Sequence, residues 1–303
     1  MIYEKKGLIY CPNGDKGWDN YGFMTPHAML IGDVIRIWGG VRDKNGVSRI
    51  SYIDVDARNP QIVLNVANEP ALDIGDPGCF DDNGVILGDI IPVKGKLYLY
   101  YVGFQHVEKV KFYAFSGLAI STDNGQHFER YSQVPIMDRT ETARFGRCIH
   151  TVLWDGDIFK AYYAIINGWK YINSIPYPVY DIWYTESEDG ITFPNSDSKL
   201  CITTMENEYR IGRPKVYKTE NGYEMYYTRD FISKEYVIGY AQSSNGLDWK
   251  RMDEQGKLDK SDSGWDSEMA CYPVKVNYGE KEYIFYNGNG MGKTGVGYAI
   301  RRI

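Results

Sequence analysis

Apolar and aromatic residues fall along this chain in short runs with the two-residue period of a strand, each bounded by Gly, Pro, Asn or Asp. One set reads Val34-Ile35-Arg36-Ile37-Trp38, Leu97-Tyr98-Leu99-Tyr100-Tyr101, Phe159-Lys160-Ala161-Tyr162-Tyr163, Tyr223-Glu224-Met225-Tyr226-Tyr227 and Tyr283-Ile284-Phe285-Tyr286. A second set follows it: Ile50-Ser51-Tyr52-Ile53, Gly117-Leu118-Ala119-Ile120, Ile182-Trp183-Tyr184-Thr185, Ile238-Gly239-Tyr240-Ala241 and Val296-Gly297-Tyr298-Ala299. An apolar strand precedes each member of the first set, so the chain contains five copies of one unit.

In the second, third and fourth units a turn of constant chemistry comes next: Ser121-Thr122-Asp123-Asn124-Gly125 with Phe128, Ser187-Glu188-Asp189-Gly190 with Phe193, and Ser244-Asn245-Gly246 with Trp249. Asp or Asn before Gly is expected to supply the positive φ of a hairpin turn, and the aromatic residue to start a fourth strand. Four short strands per unit make a propeller blade. Gly17-Trp18-Asp19 ahead of Pro26 matches Gly264-Trp265-Asp266 ahead of Pro273, and Phe80-Asp81 ahead of Gly88 fits the same frame. The frame positions Pro26, Gly88, His150, Pro214 and Pro273 lie 62, 62, 64 and 59 residues apart, with 56 left round the termini. That remainder is one more blade length. The fifth unit lacks its own outer strand, whereas Tyr3-Glu4-Lys5-Lys6-Gly7-Leu8 resembles Trp249-Lys250-Arg251-Met252 of the fourth. The expectation is therefore an all-β chain, a five-bladed β-propeller of four-stranded blades occupying residues 1–303 as one domain, its last blade closed by the N-terminal strand.

Composition agrees with strands: of 303 residues 27 are Tyr, and 32 Gly with 12 Pro are dispersed as turn formers. Lys and Arg number 34 against 40 Asp and Glu, a net charge of -6 with no basic run, which argues against a nucleic-acid partner. No apolar stretch has the length of a membrane span, and MIYEKKGLIY lacks a signal-peptide core, so a cytoplasmic protein is expected. Cys11, Cys79, Cys148, Cys201 and Cys271 form no CxxC pair, the pattern of separate thiols in a reducing compartment rather than of disulfides or a zinc site.

In a propeller the first strands line a central channel, which is where a site is expected. The residues falling there are polar and charged. Asp81, Asp82, Glu208 and Glu268 are the catalytic candidates, since glycosidic bond cleavage needs a protonated acid and an ionised partner. Asp19, His27, Arg42, Asp89, Arg147, His150, Arg213, Trp265, Asp266 and Tyr272 are candidates for holding a sugar, whose polar rim and apolar faces suit such a set. Five of these have a structural alternative. Asp19 and Asp266 recur and fit turn caps, His27 and His150 fit buried hydrogen-bonding roles, and Arg213 fits an ion pair with Glu208. No metal site or cofactor motif is visible, although a carboxylate-lined channel has the oxygen ligands that Ca²⁺ takes. Asn287-Gly288-Asn289-Gly290-Met291-Gly292 is glycine-rich like a phosphate loop, but no helix is expected after it.

These residues resemble the five-bladed propeller superfamily of glycosidases, the arabinanase, invertase and levansucrase relatives that include glycoside hydrolase family 43. Tyr52-Ile53-Asp54-Val55-Asp56, Phe80-Asp81-Asp82-Asn83-Gly84-Val85, Glu208 to Arg213-Pro214, Gly264 to Met269, and Phe285 to Gly290 look like a bacterial group within it, often encoded among surface-polysaccharide genes. The resemblance implies a carbohydrate-active enzyme, a glycoside hydrolase first of all, acting on a small sugar, glycan or sugar nucleotide. Family 43 enzymes invert with an Asp base from the first blade, an auxiliary Asp from the second and a Glu acid from the third. Here the third-blade strand Phe145-Gly146-Arg147-Cys148-Ile149-His150 has no Glu, and Glu141 lies further upstream. Arg144, Arg147, Arg210 and Arg213 open a further possibility, phosphorolysis or transfer with an anionic ligand, because guanidinium forks match phosphate and carboxylate. A binding propeller without turnover is the reading from outside the enzyme class. The turn at Ser121 is similar to a sialidase Asp-box, at a greater distance.

Overall fold

Bulky residues on both faces of a pleated strand demand a neighbour on each side, and the runs identified above are strands sandwiched in this way. The computed structural model describes residues 3–195, 198–233, 236–256 and 258–302. Its strands fall into two compact units, one of Met1–Asp73, Val85–Leu87 and Lys257–Ile303, the other of Ile74–Gly84 and Gly88–Gly256.

The first unit opens with β1 (Glu4–Tyr10), followed by a sheet in the order β2 (Tyr21–Ile31), β3 (Val34–Arg42), β4 (Ser48–Asp56) and β5 (Val63–Val66). The second unit takes β6 (Val85–Val93) from Gly88 onward and pairs it with β7 (Lys96–Gln105), β8 (Tyr113–Ser121) and β9 (Glu129–Arg130). Its next sheets are β10 (Gly146–Trp154), β11 (Phe159–Ile172), β12 (Ile175–Ser187), β13 (Lys199–Ile202), and then β14 (Glu208–Thr219), β15 (Gly222–Phe231), β16 (Tyr236–Ser243), β17 (Lys250–Arg251). A single parallel bridge between Gly146 and Ala114 links β10 to β8. The chain returns to the first unit with β18 (Cys271–Tyr278), β19 (Lys281–Asn287) and β20 (Val296–Arg302). There β1 lies antiparallel to β20, with Glu4 opposite Ile300 and Leu8 opposite Gly297. The N-terminal strand thus completes the last four-stranded sheet, as the missing outer strand required. The described residues form three four-stranded sheets and one eight-stranded sheet, the latter two four-stranded sets joined by the Gly146–Ala114 bridge.

Successive side chains of one strand serve different neighbours. Tyr162 of β11 joins the apolar cluster containing Ile211 and Met225 of the next sheet, while Tyr163 joins the cluster containing Tyr100 and Leu118 of the preceding one. Close approach explains two recurrent glycines. A Cβ on Gly117 would lie 2.3 Å from the Tyr101 ring, and one on Gly239 2.4 Å from the Tyr227 ring. The Ser-turn recurs as expected, with one shift: in the fourth sheet the serine is Ser243, whose Oγ accepts the Gly246 N–H at 2.9 Å. Ser121 and Ser187 accept the Gly125 and Gly190 N–H groups at 2.8 and 3.0 Å. Positive φ resides on Gly190 and Gly246, and on Asn124 with Gly125, not on Asp189 or Asn245. The acidic side chains instead gather the next N–H groups, Asp189 taking Ile191 and Thr192 at 2.8 and 2.7 Å. Neighbouring sheets read these turns, the Tyr100 hydroxyl donating to the Gly190 carbonyl and the Tyr162 hydroxyl to the Gly246 carbonyl, both at 2.9 Å.

Deleting residues 1–8 strips β20 of its outer partner and exposes a sheet edge. The truncated protein is expected to melt well below the full chain in a thermal scan; equal melting temperatures would show that β1 adds nothing to this sheet.

Candidate functional site

The Asp of the repeated loop is held by one backbone bond wherever it recurs. Gly14 donates its N–H to the Asp19 carbonyl at 3.1 Å, Gly75 to Asp81 at 3.2 Å and Ser261 to Asp266 at 3.2 Å. The side chains of two of them then follow one plan. Asp81 Oδ2 accepts the Tyr101 hydroxyl at 2.9 Å and Arg130 Nε at 2.8 Å. Asp266 Oδ2 accepts the Tyr286 hydroxyl at 2.9 Å and the Lys5 ammonium at 2.7 Å. Tyr101 and Tyr286 occupy matching places in β7 and β19, and the cations come from the outer strands β9 and β1. In the β14 sheet two carboxylates share the task. Glu208 takes Arg229 Nε at 2.6 Å and Arg251 at 2.7 Å, while Asp253 takes the Tyr227 hydroxyl at 2.6 Å and Arg251 at 2.9 Å. Carboxylate, second-strand tyrosine and outer-strand cation form a clamp across the sheet. Glu208 therefore pairs with Arg229 and Arg251, and the alternative ion pair with Arg213 is replaced.

Burial opposes charge on Glu208, but hydrogen bonds from Arg251, the Met205 N–H and Arg229 outweigh it and hold the carboxyl at about 2. Asp266 is likewise held below the usual range, Lys5 and Tyr286 overcoming its burial. A proton donor needs the opposite shift. The clamp geometry thus points away from the acid role expected of Glu208, and Asp81 is enclosed: a Cβ on Gly75 would sit 2.0 Å from its Oδ1. Asp89 is also committed. Its carboxylate is 1% exposed, accepts the Val152 N–H at 2.9 Å and is ion-paired with Lys215, tying β6 to β10 and β14.

The first strands are bulged at the frame position. Register shifts occur between Met24 and His27, Ile149 and Thr151, Gly212 and Lys215, and Cys271 and Val274. Thr25, Arg213 and Tyr272 carry φ of 48, 53 and 52° there, each just before a proline. Left-handed backbone costs a residue with a side chain about 1–3 kcal/mol and accumulates at functional sites, where bulges re-aim side chains.

In the second unit Arg213, on the β14 bulge, acts electrostatically on His150, Cys148 and Tyr180. His150 is 7% exposed and its Nδ1 has no hydrogen-bond partner. Burial, reinforced by the Arg213 charge, keeps the imidazole well below its ordinary pKa and so neutral. Burial pushes the Cys148 thiol up to about 12 and the Tyr180 phenol up as well, the arginine charges pulling both the other way. Arg210 beside Tyr180 is neutralised by Asp230 at 2.5 Å. A neutral imidazole, donor and acceptor at once, next to a guanidinium suits a hydroxylated anionic group. Arg147 stays out of this cluster and bonds the Pro194 carbonyl, Asn195 and the Asp138 carbonyl. In the same unit Asp82 Oδ2 accepts the Gly78 N–H at 2.8 Å.

In the first unit His27 is buried with its ring 6.0 Å from Trp38, and Arg42 ends β3 with a buried, unpartnered Nε. Asp19 accepts the Lys16 N–H at 3.0 Å, the turn-cap role weighed for it. Trp265 packs on Tyr286 at 5.0 Å and would meet a Cβ on Gly297, so its ring belongs to the sheet stack. Tyr272 lies on its bulge, and Glu268 is exposed with its N–H on Asn289 Oδ1 at 2.7 Å. Among the described residues neither Asp82 nor Glu268 has an ion-pair partner. No three His, Cys, Asp or Glu among the described residues converge as metal ligands. Sequence reasoning missed Arg130, Arg251 and Lys5, although each stands two residues after the turn aromatic Phe128, Trp249 or its counterpart Tyr3.

A chain of stacked four-stranded sheets with polar, bulged first strands has the fold of the glycosidase-type β-propellers. It matches a solved glycoside hydrolase with a TM-score of 0.74 at 19% identity, over 98% of this chain and 90% of that one. A thermostable family-43 glycoside hydrolase matches at 0.69 and 17% identity, over 94% and 92%. The β-1,2-mannobiose phosphorylase of Listeria innocua matches at 0.65 and 14% identity, over 97% and 96%. No protein-family model matches the sequence. Over 302 residues, 99% of both chains, it is 30% identical to the uncharacterized protein Rv1502 of Mycobacterium tuberculosis, and it belongs to the same family as that protein.

Two outcomes follow from the clamps. Lys5→Met leaves Asp266 buried without its cation and should cost about 3 kcal/mol, read by urea denaturation; a loss below about 0.5 kcal/mol would reduce the pair to a surface contact. Because the folded pKa of Glu208 is depressed, its stabilisation is full above about pH 4.5 and is lost as pH falls toward 2. Melting temperature against pH should therefore fall less steeply across that window in Glu208→Gln than in the parent, from a lower starting value.

Proposed function

We propose that this protein is a carbohydrate-active enzyme that cleaves a glycosidic bond, with Arg213 and His150 receiving the anionic participant. The observation that carries this reading is Arg213 at φ 53° on a bulge beside a buried, neutral His150. Strain of that kind is retained where a side chain must be presented, and a guanidinium fork beside an imidazole suits phosphate oxygens or an acidic substituent. Phosphate as the attacking group makes the reaction a phosphorolysis: the glycosidic C–O bond breaks, a C–O bond to phosphate forms, and one acid protonates the leaving oxygen. The reaction then needs a single acid, which fits a chain whose Asp81, Glu208 and Asp266 are clamped. Asp82, in the unit of Arg213 and His150, is the first residue to test for that acid, and Glu268 the second. Residues 1–303 are read as one functional domain, with bacterial glycan metabolism in the cytoplasm as its setting.

Hydrolysis is the second reading, supported by the likeness to the glycoside hydrolase folds, and binding without turnover is the third, supported by the number of carboxylates held in ion pairs. A panel of disaccharides and nitrophenyl glycosides, assayed with and without inorganic phosphate, separates the three. Phosphate-dependent cleavage yielding a sugar phosphate is expected, with Arg213→Gln lowering it about a hundredfold or more. Full-rate cleavage without phosphate would replace phosphorolysis by hydrolysis, and saturable sugar binding with no cleavage would leave a binding protein.

A further inference from the structure

The sheet of β10 to β13 breaks the clamp pattern. Its second-strand tyrosine, Tyr163, is present, and a cation lies over the ring: Arg147 Cζ is 5.6 Å from the centroid. The corresponding distances are 5.9 Å for Arg130 over Tyr101, 5.6 Å for Arg251 over Tyr227 and 5.6 Å for Lys5 over Tyr286. In those three sheets a carboxylate of the chain joins the pair. Here the place two residues after the turn aromatic Phe193 is Asn195, the Tyr163 hydroxyl donates to Ser198 Oγ at 2.5 Å, and Arg147 has no ion pair among the described residues. Arg147 is 2% exposed, and its hydrogen bonds go to neutral oxygens: Asn195 Oδ1 at 2.9 Å and the Pro194 and Asp138 carbonyls at 2.8 and 3.4 Å.

Beside this pair the sheet has space. A cavity of about 300 Å³ is lined by Arg147 and Asn195 together with Tyr163, Trp183, Thr142 and Asn167. The Trp183 indole N–H is buried there with no acceptor. A buried cation that meets only dipoles among the described residues, an orphan donor and hydroxyl and amide groups around a monosaccharide-sized space define a receptor for an anion with a polar body.

We infer that this cavity binds the carboxylate of a small acidic ligand, of the size and polarity of a hexuronic acid, completing around Arg147 and Tyr163 the clamp that the other sheets complete internally. The site involves neither His150 nor Arg213 and stands or falls apart from the catalytic reading. A thermal-shift titration with sodium glucuronate tests it, with glucose and inorganic phosphate as comparators. A saturable rise in melting temperature is expected with glucuronate and not with glucose, and affinity should drop tenfold or more in Arg147→Lys. Because that change touches a buried side chain, Thr142→Phe, at an exposed position of the lining, provides the second variant. It should abolish the response while the unliganded protein melts as before. A response that survives Thr142→Phe, or that phosphate reproduces in full, would overturn the assignment. Asp197 lies outside the described residues, so Asp197→Asn is included: a response confined to that variant would mean that the chain supplies its own carboxylate, and would also overturn it.

Discussion

A carboxylate buried between stacked sheets stays ionised only if a cation and a hydroxyl meet it, and that requirement organises each clamped sheet from its first loop to its last strand. Asp81 is at 0% exposure, so it must find Tyr101 and Arg130 in other strands of its own sheet. Those bonds tie the loop that carries Asp81 to β7 and β9. The demand reaches the termini, since Asp266 obtains its cation from Lys5, at the opposite end of the chain. Losing the N-terminal strand therefore removes a charge partner along with a hydrogen-bonded edge.

The clamps also decide which residues are left for chemistry. Their donors hold Glu208 and Asp266 below the usual carboxylate range, which is opposite to the shift a proton donor needs. Presentation falls to the bulges, where the register shift turns one residue out of the alternation. The same backbone device serves opposite ends in the two units. In the first, Thr25 on its bulge donates to Asn287, a fully buried amide that also bonds Phe23 and Gly295. In the second, Arg213 and His150 stand in a neighbourhood of raised thiol and phenol pKa, where a neutral imidazole persists beside a positive charge.

The repeat was legible because its signals are local: alternating aromatics, the Ser-x-Asp-Gly turn, and loop residues at constant spacing. Even the closing strand could be placed, since Tyr3-Glu4-Lys5 repeats Trp249-Lys250-Arg251. The purpose of the acids was not legible. Asp81 and Asp82 are adjacent, yet one lies under Gly75 and Gly103 and bonds Tyr101 and Arg130, distant in sequence, while the other accepts the N–H of nearby Gly78. Lys215 follows the register shift in β14 and pairs with Asp89, a contact between residues 126 apart that no local pattern signals. Arg147 shows the same limit: a strand position reveals that a residue is buried, not whether an anion waits for it.

Charge balance within the sheets makes the departure at Arg147 meaningful. Asp81 with Arg130, and Asp266 with Lys5, each sum to zero, and Glu208 and Asp253 together balance Arg229 and Arg251. Where one member of a clamp changes, another compensates: the extra carboxylate beside Tyr227 is accompanied by an extra arginine. Beside Tyr163 the outer cation is replaced by Asn195 and a cation is supplied instead from β10, so the positive charge has been moved rather than lost. Carbonyl dipoles solvate that charge in part, as water would, but they do not neutralise it. Met or Leu at this position would carry no such electrostatic cost, and a buried guanidinium with space in front of it is what a site for an external anion requires.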